Sequence, residues 1–167
     1  MDSLTAHAES TSSTVLYLLL SLLSLSSSTL SHAASHLGIA QTISTLIRAL
    51  PFHAGHGRMI IPAEITAKHG VSQEDVFRQG PEARGIEEAV FEFATVGNDH
   101  LVKARETFKR EDKERTRAMG VFLAGVPVSN VLLRLEKEKF NAFGRGLQMR
   151  SWRLAWLVWL GYHQRKF

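Results

Sequence analysis

A run of small polar residues, two arginines and two histidines form the first candidate chemistry in this chain. Between Leu37 and Ile61 stand Gln41, Thr42, Ser44, Thr45, Arg48, His53, His56 and Arg58, with no Asp or Glu anywhere in the interval. Magnesium is a hard cation that takes carboxylate and phosphate oxygens in near-octahedral geometry. Ionising a diphosphate ester needs that charge on the leaving group, supplemented by Arg or Lys clamps. Arg48 and Arg58 can meet a phosphate, but neither can hold a metal. This stretch is therefore expected to carry no catalytic residue, no metal and no cofactor.

The histidines fall in two pairs. His53 and His56 have an H-x-x-H spacing, and His32 and His36 lie one helical turn apart. Imidazole pairs ligate zinc or copper, but no third ligand follows in a tight pattern and H-E-x-x-H is absent. Solvent-facing or hydrogen-bonded histidines are the expectation. Asn98-Asp99 on a long helix could be a relocated acidic site, but a lone Asp beside His100 and Lys103 reads as a surface charge, and Phe91 and Phe93 read as core. Near the carboxy terminus Trp152, Trp156 and Trp159 recur at i, i+4 and i+7, flanked by Arg145, Arg150, Arg153, Arg165 and Lys166. That is the composition of an interfacial helix on anionic lipid, with rings at headgroup depth and cations on phosphates. A stripe packed into the bundle is nonetheless the expected arrangement, with membrane apposition or a partner groove as the alternatives. Trp152, Trp156, Trp159 and Arg153 are accordingly the candidate membrane or partner contacts.

The elements that must position these groups all read as helices. Residues 5–26 carry leucines on several faces, as expected of a helix buried on most sides, and Ser26-Ser27-Ser28 reads as a turn. A second helix over about 30–50 places Leu37, Ala40, Ile43, Ile47 and Leu50 at a 3.6-residue period, and Pro51 is expected to end it. Pro62 opens a short helix that stops at Gly70, and Ser72 caps another whose first turn holds Glu74 and Asp75. A long helix over about 82–111 buries Ile86, Val90, Phe93, Gly97, Leu101, Ala104 and Phe108, the most regular stripe in the chain. Lys109–Arg117 reads as a solvated helix end or linker. Residues 118–139 form an apolar helix broken near Pro127, 141–146 a loop, and 148–164 the last helix. No strand pattern competes, so the fold class is all-α.

The 167 residues make one domain or part of one. They are 44% hydrophobic and 22% charged, with net charge +4 and no cysteine, which excludes disulfides, zinc-thiolate sites and thiol nucleophiles. No motif or basic run supports nucleic-acid binding. The apolar run Val15–Leu25 lacks the basic flank of a secretory signal, since Asp2 and Glu9 precede it without Lys or Arg. It is also shorter than the roughly 20 residues a bilayer span needs, so it reads as a buried helix, with a signal or interfacial segment as the alternative.

His36 to Phe77 resembles the second aspartate-rich helix of the squalene/phytoene synthase family, with its aspartates gone. Family members there read roughly L-G-x-A-x-Q, then L-R-D-V-x-E-D, a basic loop and R-x-Y-L-P. Here Leu37-Gly38, Ala40 and Arg48 remain. Ala49 follows the arginine, Phe52 and His53 replace the acidic pair, and Arg58 through Pro62 lacks the tyrosine. Ala8 to Leu18 fits the A-E-x-T-x-S-x-L-x-Y-L helix that precedes this motif in the family. The resemblance implies an isoprenoid (trans-prenyl) synthase-like helical bundle, here its carboxy-terminal half, with the first aspartate-rich half upstream of Met1. Exposed faces and dependence on a partner are expected of such a half. It also implies a vestigial substrate groove of Gln41, Thr45, Arg48, His53 and Arg58, with a solvated face as the alternative. The stretches Ala33–Gln41, Leu46–His53 and Pro62–Phe77 resemble a non-catalytic mitochondrial branch of the family that promotes assembly of respiratory complex I. That branch implies a pseudoenzyme peripheral to the matrix face of the inner membrane, with complex I subunits or other assembly factors as partners. A divergent prenyl transferase or an inactive fragment is the rival.

Overall fold

A computed structural model describes residues 1–111 and 113–167, and among them there are only helices and turns. The all-α expectation holds. The amino-terminal rod is α1 (Asp2–Ala8), a π-helical turn (Glu9–Ser13) and α2 (Thr14–Leu22). Hydroxyls widen its middle: Ser10 and Thr11 donate to the His7 carbonyl at 3.0 and 2.6 Å, and Thr14 donates to the Glu9 carbonyl at 2.7 Å. Such back-bonding competes with the regular ladder and favours a bulge. The bulge meets α3 (Ser28–Ala54) at its small residues. Ser12 and Thr42 share a hydroxyl hydrogen bond of 2.8 Å, Ser13 donates to the Ser35 carbonyl, and the Glu9 carboxylate accepts from Tyr17 and Ser35.

The rod is less buried than its leucines suggest. Leu16 and Leu20 face the core, whereas Val15, Leu18, Leu19, Leu22 and Leu23 are exposed. These five stand at i, i+3, i+4, i+7 and i+8, so they form one apolar stripe on the side away from α3. The expectation of burial on most sides is corrected: only one face of α2 has helices to meet.

Ser27 caps α3, accepting from the Leu30 N–H at 3.3 Å. Pro51 does not end this helix, which continues through it to Ala54. Proline there forgoes one backbone bond, but Leu50 and Ala54, four residues apart on one face, are both buried and hold the last turn. The short helices α4 (Ala63–Lys68) and α5 (Gln73–Gln79) follow, the latter capped by Ser72 accepting from Asp75 as predicted. A single 3₁₀ turn, Gly80–Glu82, leads to α6 (Ile86–Lys109).

Every residue of the predicted α6 stripe is buried, and it packs along α3 in the most extensive interface of the molecule. Phe93 is fully buried there, and Gly97 lets the helices close on Ile43. Phe91 is not core: it is half exposed and meets Phe140 edge-on at 4.8 Å. Two residues along a helix are about 200° apart, so Phe91 and Phe93 cannot share a face.

The charged stretch 109–117 spans the end of α6 and the start of α7 (Arg115–Phe122); its Asp112 lies outside the described residues. The apolar helix predicted over 118–139 is broken at Leu123-Ala124, where α7 and α8 (Gly125–Lys137) meet at 49°. Pro127 sits downstream of the break, in the first turn of α8, where a missing N–H costs nothing. No single helix among the described residues is long and apolar enough to cross a membrane. The chain closes with α9 (Arg145–Gln148) and α10 (Leu154–Gln164), so the helix expected over 148–164 begins only at Leu154, and a short helix starts within the loop expected over 141–146.

Candidate functional site

Gln41, Ser44, Thr45 and Arg48 lie at i, i+3, i+4 and i+7 on α3 and so share a face. Opposite them α8 presents Pro127, Val128 and Val131. Together with Ala124 they line a pocket of about 310 Å³ that is open to solvent, polar on one wall and apolar on the other. Three of the five expected groove residues, Gln41, Thr45 and Arg48, are thus brought together. Ser44 joins them, donating to the Gln41 carbonyl at 3.0 Å. Thr42 turns the other way, toward Ser12.

His53 and Arg58 do not join this cavity. His53 is half-buried at the last turn of α3, edge-on to Phe52 at 5.4 Å, and its carbonyl accepts the Arg58 N–H at 2.9 Å. The exposed Arg58 side chain belongs to the turn that follows. Their separation follows from Pro51: because α3 runs on past it, His53 is a full turn beyond Arg48 and its chain is committed to the turn.

The cavity's polar wall consists of an amide, two hydroxyls and a guanidinium. Magnesium with a diphosphate requires carboxylates, and this wall has none, so these residues do not fit that group. Among the described residues no three His, Cys, Asp or Glu side chains converge elsewhere as a metal centre. What the wall suits is a neutral polar backbone or an anion at Arg48, with apolar matter against Val128 and Val131. At the Arg48 end α9 ties down the main chain, where the Gln148 amide donates to the Arg48 carbonyl at 3.0 Å.

A second cleft, of about 410 Å³, lies between α6 and α8, with Arg105 and Ser129 toward one end and Phe91 and Phe140 at the other. Arg105 donates to the Ser129 hydroxyl and to the Phe167 carbonyl, and burial lowers its pKa. The sequence signal was present, since Phe91, Asn98 and Arg105 recur every seven residues, but it was overshadowed by the neighbouring core stripe.

The histidines rearrange the expected pairs. His36 meets His100, Nδ1 to Nδ1 at 2.9 Å, while His32 packs on His36 with ring centroids 4.8 Å apart. One nitrogen must carry the hydrogen and the other must accept it, so the two rings cannot both be protonated while this bond is kept. Burial first, then the charges of His100, His32 and Lys103, lower the pKa of His36 to about 4; burial also lowers that of His100. The unfolded chain, with His36 near 6.5, therefore takes up protons that the folded chain refuses. Stability is expected to be level above that pH and to fall as pH drops from about 6.5 toward about 4. In His36→Gln the fall should shrink, as read from urea midpoints across that range. An unchanged pH profile would show that the pair does not control it.

The three tryptophans do not pack into the bundle. Trp152, in the turn before α10, is 95% exposed, Trp156 60% and Trp159 49%. Trp156 and Trp159 stack at 4.6 Å, and Trp159 meets the His163 ring at 4.1 Å. The helix is held from its opposite face: Gly161 is buried, close to Val126 and Leu123. Arg153, the fourth expected contact residue, is exposed beside Trp152. The turn that carries it is anchored by Arg134, which donates to the Gly146 carbonyl and, at 2.7 Å, to the Met149 carbonyl.

A family model described as squalene/phytoene synthase matches residues 1–159. The chain is 34% identical over 148 residues to the rat protein named NADH dehydrogenase (ubiquinone) complex I, assembly factor 6, covering 89% of this chain and 43% of that protein. The human protein of that name is 33% identical over 145 residues, covering 87% and 42%. The Drosophila melanogaster homolog is 37% identical over 134 residues, covering 80% and 39%. The chain spans about two-fifths of the length of these curated relatives. No solved structure gives a significant match.

Proposed function

This chain belongs to the squalene/phytoene synthase family, and from that membership we propose that it is a non-catalytic member promoting assembly of mitochondrial respiratory complex I. The observation that carries the reading is the groove wall. The face of α3 that turns to α8 presents Gln41, Ser44, Thr45 and Arg48, where diphosphate chemistry would need carboxylates. The relatives' names support the assembly role. The chain corresponds to the part of the synthase-like domain that carries the second aspartate helix. Its place is the mitochondrion, at the matrix face of the inner membrane, and its partners are complex I subunits or other assembly factors.

The mechanism is binding. The groove holds an extended subunit segment or a lipid tail: Arg48 and the hydroxyls take its polar part, and Val128 and Val131 its apolar part. No bond is made or broken, and the gain comes from covering apolar surface on an intermediate that would otherwise associate wrongly.

Deleting the gene should abolish complex I activity on a blue-native gel of mitochondria while leaving the other respiratory complexes intact. An Arg48→Ala variant should restore less complex I than the parent chain at equal abundance, since Arg48 is exposed and its loss costs the fold about 0.5 kcal/mol or less. Normal complex I after deletion would remove the assembly role. Magnesium-dependent binding of a non-hydrolysable prenyl diphosphate by the purified chain would instead mark a divergent transferase.

A further inference from the structure

We propose that the carboxy-terminal segment, from Arg150 to Lys166, is an in-plane anchor that lays its tryptophan face on an anionic lipid bilayer. It supplies the surface for the peripheral membrane contact in the reading above, and it stands on observations of its own.

Charge comes first. After Glu138 the chain has no Asp or Glu, yet it carries Lys139, Arg145, Arg150, Arg153, Arg165 and Lys166. These six cations exceed the +4 of the whole chain, so the closing stretch is the basic part of a mildly basic sequence. The last four are exposed. They also have no ion pair among the described residues.

Their placement decides the kind of partner. Arg150 and Arg153 precede α10, and Arg165 and Lys166 follow it, while the 11 residues of α10 contain no Asp, Glu, Lys or Arg. The two cation pairs therefore flank an uncharged helix about 16 Å long. One face of that helix is spent on α8; the other presents Trp156, Trp159 and Tyr162, continued by Trp152. A helix apolar on both faces is not at rest in water. Indole and phenol rings settle at the headgroup boundary, and flanking cations meet lipid phosphates. A nucleic acid would call for cations interleaved along the aromatic face, and here they stand only at its ends.

The chain's only three tryptophans are the three of this segment, so its intrinsic fluorescence reports the proposed contact without a label. The purified 167-residue chain is mixed with vesicles of phosphatidylcholine alone, or of equimolar phosphatidylcholine and phosphatidylglycerol. Anionic vesicles should shift the emission to shorter wavelength and carry the chain upward on flotation; neutral vesicles should do neither, and added salt should reverse both effects. Arg150→Glu with Arg153→Glu should weaken binding about 25-fold or more, at about fivefold for each cation lost. Trp152→Ser with Trp156→Ser should weaken it while Trp159 still reports. Circular dichroism should match the parent for both variants, because all four side chains are exposed.

An unmoved emission with anionic vesicles, or equal binding to neutral ones, would overturn the proposal. So would a concentration-dependent shift with dimer formation in the absence of lipid, which would give the face to a second copy. A shift elicited by an oligonucleotide and not by vesicles would overturn it as well. The assembly role is decided separately: normal complex I after gene deletion leaves vesicle binding untouched, and failed vesicle binding leaves the assembly test standing.

Discussion

Gly38→Ala is expected to destabilise the chain by about 3 kcal/mol, although alanine is the better helix former by about 1 kcal/mol. Gly38 lies inside α3, where the π-helical turn of the amino-terminal rod makes its closest approach. A Cβ there would stand 2.6 Å from the Ser13 nitrogen and 2.7 Å from its Cα, with the Ser13 hydroxyl closer still. The obstacle is backbone, so no rotamer change relieves it and the rod must move off. With it go the Ser12–Thr42 bond and the link from Glu9 to Ser35. Gly120→Ala is the control. It lies on α7 with nothing within 4 Å of its would-be Cβ, and it should gain about 0.5–1 kcal/mol from the propensity difference alone. Urea unfolding of both variants measures the contrast. Equal effects would mean that the rod does not touch α3 at Gly38.

Phe93→Ala should cost about 3–5 kcal/mol, equivalent to a melting point lower by roughly 6–20 °C for a chain of this size. The ring is fully buried in the cluster that includes Ile43, Ile47 and Leu50 of α3 and Leu135 of α8. Its loss leaves a void where three helices meet, and Gly97 has already brought α6 into close contact with Ile43 of α3. Phe91→Ala, two residues away, should cost far less, because half of that ring is in water. A similar loss from both would refute the division of α6 into a core stripe and a cleft-lining stripe. Thermal unfolding followed by far-ultraviolet circular dichroism distinguishes the cases.

These two positions also show what could be read in advance. Phe93 belongs to a stripe of seven residues at helical period, and one helix face needs no knowledge of its partner to be recognised. The helix starts at Pro62 and Ser72 were legible for the same reason, since each signal lies within one turn. Gly38 carried no such signal. Its role depends on a bulge 25 residues away, produced by Ser and Thr hydroxyls bonding back to their own helix, and only the packed structure places that bulge against it. Pro51 was misread because local sterics argue for a break, while the burial of Leu50 and Ala54 outweighs them.

The candidate sites divide along the same line. The amino-acid sequence by itself determined the helical class, the family, and the absence of carboxylates from the α3 segment, because these depend on residue type and short spacing. It placed Gln41, Thr45 and Arg48 together, since one helix face carries all three. Only the tertiary structure decided that α8 supplies the opposite wall of an open pocket, that His53 and Arg58 stand apart, and that His36 pairs with His100. It alone decided that the tryptophans face outward and the α2 leucines are half uncovered. Amphipathic spacing says that a helix has a face to bury; which of two apolar faces meets the core is set by neighbours distant in sequence, and for α10 that neighbour is α8.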